Sequence, residues 1–125
     1  MIETYAIANT SLLPTDVKNN GTVTVVALDV RNSETVAIDC VLSGLTGGTA
    51  PTVQFSVERA SVDGTTWVLV NAATALSANG VSSFYIGPGM VLNQTTGRQL
   101  RVRATTTGGP TTANAVVMAF GDRYN

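Results

Sequence analysis

Histidine is absent from the 125 residues and cysteine occurs once. Zinc sites built on Cys and His, Ser-His-Asp triads and Cys-His pairs therefore have no members to draw on. Eight acidic residues leave a two-carboxylate mechanism formally open, since a glycosidase needs only an acid and a base or nucleophile. No pair stands out: Asp29, Glu34 and Asp39 flank strand positions and read as solvated faces or turn formers. The Gly pairs at 47–48 and 108–109 precede strand patterns and lack the Lys-Ser/Thr of a phosphate loop. Trp67 has two readings, a sugar-stacking platform or a core anchor just after a hairpin. The core anchor is the expectation, because sugar platforms use several exposed aromatics and aromatics make up only 6% of this chain. Cys40, in the alternating run VAIDCVL, reads as a small buried hydrophobe. Asn9-Thr10-Ser11, Asn20-Gly21-Thr22 and Asn93-Gln94-Thr95 match the N-glycosylation pattern, a match that comes easily in a Thr-rich chain. No catalytic residue, cofactor site or metal-ligand set emerges, and the chain reads as a non-enzyme.

The elements that would carry any surface are punctuated by turn residues. Pro14, Pro51, Pro88, Pro110 and the glycines fall between or at the edges of apolar runs, where a missing amide donor or a positive φ does little harm. The spacing predicts an all-β domain of about eight strands, at residues 3–9, 22–31, 34–43, 52–60, 66–71, 81–87, 98–106 and 113–120. Alternation assigns the buried faces. Val36, Ile38, Cys40 and Leu42 share one, as do Val53, Phe55 and Val57, and Leu100, Val102 and Ala104 oppose an outward Arg101 and Arg103. Val116, Met118 and Phe120 are expected to complete the set, and Phe84 also sits at a core position. At Val25-Val26 the period slips, which fits either a β-bulge or a strand buried on both faces.

Turns have nameable chemistry. Asn20-Gly21 and Asn79-Gly80 favour positive φ, Asn32-Ser33 suits a tight turn, and Asp63-Gly64 reads as a hairpin loop. The run NAATALSANG, 71–80, is short for a helix and is read as a loop. A weak internal echo links residues 46–57 with 107–120, each placing Thr-Gly-Gly before an alternating strand. Two such hairpins would suit an antiparallel two-sheet β-sandwich, Ig-like or jelly-roll-like. Residues 1–21 divide from the sandwich of 22–125 at the turn-rich stretch 14–21. The opening segment is either an edge strand of the same domain or an arm that pairs with a neighbouring subunit.

Composition limits the partners. A net charge of −1 provides no basic face for nucleic acid, no apolar run approaches a membrane span, and MIETYAIANT lacks a signal-peptide profile. Only 12% of residues are charged and Lys18 is the sole lysine, so few devices keep β edges apart. Self-association is expected.

The stretch GGTAPTVQFSVERASVDGTTWVLV, 47–70, resembles a pattern of small bacteriophage virion proteins: a G-T-x-P loop, an alternating strand, then S-x-DG-x-x-W opening the next strand. GRQLRVRATTTGG, 97–109, resembles the arginine-bearing strand that follows in those proteins. The resemblance implies a non-enzymatic capsid decoration, or cement, protein. Such a protein would lie on the outer surface of the virion, bind the major capsid protein and associate as a homotrimer. Tyr5, Ile7, Leu12 and Leu13 of the opening segment are the candidate subunit or capsid interface. A tail or neck protein and a carbohydrate-binding sandwich module are the alternatives.

Overall fold

Short β-branched side chains and regularly spaced breakers produce strands throughout. A computed structural model describes residues 2–12, 21–29, 35–61, 65–87 and 99–124, with side chains for 21–28, 35–61, 65–87 and 100–121. The strands are β1 (Ile2–Leu12), β2 (Gly21–Asp29), β3 (Thr35–Thr46), β4 (Thr52–Ala60), β5 (Trp67–Ala72), β6 (Gly80–Ile86), β7 (Gln99–Thr107) and β8 (Thr112–Tyr124). They form two four-stranded sheets, β1-β8-β3-β6 and β2-β7-β4-β5. Every pairing is antiparallel. Strands β1 to β4 run out, β5 to β8 double back, and the pairs β1·β8, β2·β7, β3·β6 and β4·β5 make one long ribbon wound into a sandwich. That order is a jelly roll. Among the described strands only β4 and β5 are both consecutive and paired, which separates this fold from the Ig-like alternative, where several consecutive strands pair.

The inner faces meet in one apolar cluster. Val36, Ile38, Cys40 and Leu42 from β3, Val53, Phe55 and Val57 from β4, and Leu100, Val102 and Ala104 from β7 are all buried as their alternation predicts. In β8 the expected phase is inverted. Ala113, Ala115, Val117 and Ala119 line the core, while Phe120 is 42% exposed and Val116 and Met118 share its outward face. Both faces of this strand are apolar, so alternation alone cannot choose between them. Small residues face inward in a close-packed layer that already holds Phe55, Phe84 and Leu100. β8 also continues through a buried Gly121, so this glycine lies within a strand and marks no strand end.

The slip at Val25-Val26 is a bulge: the register of β2 on β7 shifts between Thr24 and Val26. Residues 73–79 form a loop along β4, where Leu76 and Val53 exchange backbone hydrogen bonds of 2.8 and 3.0 Å. Asn79 does not adopt positive φ; its side-chain oxygen accepts instead from the Leu45 amide, at 3.1 Å. The Asn32-Ser33 and Asp63-Gly64 turns lie outside the described residues, although β4 and β5 flank the latter as an antiparallel pair.

The two Thr-Gly-Gly segments are not hairpins. One carries the chain from β3 to β4 and the other from β7 to β8, each crossing between the sheets. They interlock. The Thr49 amide donates to Gly108 O at 2.9 Å and the Thr111 amide to Thr46 O at 2.7 Å. Thr46 bonds Thr112 and Thr52 bonds Thr107 through their hydroxyls, so both ends of the crossing are tied. Gly48, at φ 70°, packs so tightly that a Cβ would lie 2.2 Å from Gly108 O. The internal echo thus corresponds to a paired corner of the sandwich.

Candidate interaction surfaces

Both inner faces are consumed by the core, so the described strands offer a partner their two outer faces and the sheet edges. On the β1-β8-β3-β6 sheet, strand register places side chains in rows: Tyr85–Ala37–Phe120, Ser83–Asp39–Met118 and Val81–Val41–Val116, from β6 across β3 to β8. Tyr85 is 68% exposed and Val81 56%. Asp39 is the one charged side chain among these residues, and its Oδ1 accepts a 2.7 Å hydrogen bond from Ser83 Oγ. Among the described side chains these rows form an apolar outer face with a single carboxylate, already engaged. Directly behind, Cys40 is fully buried, and burial first and the Asp39 charge second push its thiol up to about 12. A thiol so placed is neutral and unreactive.

The outer face of the other sheet is polar along β2, β7 and β4, with Leu69 of β5 59% exposed opposite Glu58. Arg101 Nε donates to Glu58 Oε1 at 2.6 Å across β7 and β4, and its guanidinium lies 4.4 Å from the centroid of the Trp67 ring. Arg103 Nη1 donates to Thr24 Oγ1 at 3.3 Å, and Thr22 pairs with Thr105 at 2.9 Å. Trp67 is therefore not the core anchor expected of it. It is half-buried on the outer face, because a bulge at Val57/Glu58 resets β5 against β4 and leaves Trp67 opposite Ala60, in line with the Glu58–Leu69 pair. Arg101 covers one face of its ring by a cation–π contact.

The acidic residues do not assemble into a catalytic pair among the described residues. Glu58 serves Arg101, Asp39 serves Ser83, Asp29 ends β2 opposite Gln99, and Glu34 lies outside the described residues. Of the candidate interface residues, Tyr5, Ile7 and Leu12 fall on β1, an edge strand hydrogen-bonded to β8 from Ile2↔Tyr124 to Leu12↔Ala115, with an irregularity at Ile7. Their side chains, and Leu13 altogether, lie outside the described residues. Missing from the sequence reading was the apolar outer face itself. Its signal was available in the small residues at 113, 115 and 119, which leave the larger ones at 116, 118 and 120 for the outside.

No protein-family model matches the chain, and no curated protein matches it in sequence. Solved structures share its fold. A chain of the Ralstonia phage GP4 capsid superposes with a TM-score of 0.58 at 17% identity, covering 98% of this chain and 86% of that one. A chain of the cyanophage Pam1 capsid gives 0.50 at 20% identity, covering 97% and 82%. The VP2 subviral particle of infectious bursal disease virus gives 0.60 at 12% identity over 99% of this chain. This chain spans about a third of that protein's length, 32%. At such identities the likeness is one of fold: a whole-chain jelly roll.

Proposed function

We propose that this chain is a non-enzymatic virion structural protein, a capsid decoration or cement protein that binds the major capsid protein shell on its outer surface and stabilises it. One observation carries the reading: the described strands form a single jelly roll, and the chain matches more than four-fifths, 86%, of a chain in a phage capsid. A jelly roll of this size suits an accessory that adds contact area to a shell. The apolar outer face bearing Phe120, Met118, Val116 and Val41 supports it, since apolar surface rimmed by polar residues marks a protein contact. Tyr5, Ile7, Leu12 and Leu13, on or beside the edge strand β1, are a second proposed contact, separate from that face: Tyr5 and Leu12 pair in register with the buried Gly121 and Ala115.

Quantitative mass spectrometry of purified virions tests this. Copies in the hundreds per particle, on the order of the shell's own symmetry, are the expected result. A handful of copies moves the protein to the tail or neck, and its absence from virions overturns the reading.

A further inference from the structure

Four strands bound the two sheets: β1 and β6 in one, β2 and β5 in the other. An open edge offers unpaired N–H and C=O groups to any other strand, and proteins blunt such edges with bulges, charges or proline. Three of the four are blunted here. The pairing of β1 shifts at Ala6/Ala8, that of β2 at Thr24/Val26, and that of β5 opposite Val57/Glu58. β6 has none of these devices. It pairs β3 in unbroken register from Val36↔Ile86 to Leu42↔Gly80, and its sequence GVSSFYI holds no charge and no proline. No described strand pairs its outer side.

The strand is also complementary to itself. Turned about a two-fold axis through Ser83, an antiparallel copy sets Val81 opposite Tyr85, Ser83 opposite Ser83, and Tyr85 opposite Val81. Val81 and Tyr85 are among the most exposed apolar side chains of the chain, at 56% and 68%. An aromatic beside a β-branched residue is a favourable cross-strand pair, here made twice. Nothing charged among Gly80–Ile86 opposes the approach.

We propose that β6 is a self-association edge: two copies of this chain pair their β6 strands antiparallel about a two-fold axis at Ser83, joining two four-stranded sheets into one of eight strands. The contact is isologous, so it closes as a dimer. About six backbone hydrogen bonds form across it. It leaves the outward face of β8 free, and it does not depend on the proposed capsid role.

A charge-pairing series in solution tests both the edge and its register. Val81→Lys with Tyr85→Lys sets lysine against lysine across the axis; Val81→Lys with Tyr85→Glu sets lysine against glutamate. Both positions are exposed, so each variant keeps its fold, checked by melting. Analytical ultracentrifugation of the wild type at tens of micromolar should show dimers, with the lysine–lysine variant monomeric and the lysine–glutamate variant dimeric again. At 0.5 M salt the rescue should weaken. A wild type that stays monomeric, a trimer, or a lysine–lysine variant that associates as the wild type does overturns the proposal. So does failure of the lysine–glutamate variant to recover dimers.

Discussion

At the residue scale, the sharpest consequence of packing is at Cys40. Its thiol is pushed from an ordinary 9.0 to about 12, first by burial and then by the carboxylate of Asp39 on the same strand. The folded chain therefore holds a proton that the unfolded chain gives up above about pH 9. Stability from this group is complete below the unfolded value and falls as pH rises toward the folded one, at up to about 1.4 kcal/mol per pH unit. Denaturant melts of the wild type and of Cys40→Ala between pH 9 and 11 should converge as pH rises, and parallel curves would show that the thiol is not buried in the native state. Native protein should also resist thiol reagents at neutral pH. The burial of Cys40 was legible because Val36, Ile38 and Leu42 keep it in a clean two-residue period. Trp67 was not legible. Its place depends on a bulge in the β4–β5 pairing, which resets which face it takes, and local sequence does not mark that bulge.

At the scale of elements, the same contrast separates strands from their phases and joins. Eight runs bounded by Gly, Pro and Asn sufficed to locate eight strands, because breakers act locally. The facing of β8 did not follow, since ANAVVMAF is apolar on both sides and volume, rather than polarity, decides. The interlocked corner was visible only as an echo of Thr-Gly-Gly, and its reason is steric. At Gly48 two penalties act together: φ of 70°, and a Cβ that would lie 2.2 Å from the oxygen accepting the Thr49 amide. At Gly109 only the first acts, with φ of 57° and nothing within 4 Å of a Cβ. Gly109→Ala should cost about 1 to 2 kcal/mol for left-handed backbone alone. Gly48→Ala should cost about 3 kcal/mol or more, because the two crossings must part. Equal losses in urea melts would mean that the crossings do not interlock as described.

At the scale of the whole molecule, what alternation cannot supply is the partner of each strand. Period two tells which side of a strand is buried, and it says the same for an Ig-like or a jelly-roll winding. The choice resides in contacts between distant parts of the chain, most plainly in Ile2↔Tyr124, which brings its two ends together. The candidate interface on the opening segment is bound up with that pairing. β8 lies between β1 and β3, so removing residues 1–13 strips one side of β8 of hydrogen-bond partners from Ala115 to Tyr124 and leaves a three-stranded sheet beside a four-stranded one. The truncated chain should melt more than about 10 °C lower, a loss of a few kcal/mol in a domain of this size. It should also aggregate, because the new edge is long and, over residues 113–120, largely apolar. If the proposed capsid role holds, binding to empty capsids measured on the same truncation separates the roles of Tyr5, Ile7, Leu12 and Leu13. Lower melting with lost binding fits a strand that both completes the sheet and faces the shell. Lower melting with binding retained confines the segment to the fold and moves the shell contact to the face of Phe120, Met118 and Val116. Unchanged melting would mean that β1 contributes nothing to the cooperative unit, and the ten-rung pairing with β8 would then have to be abandoned.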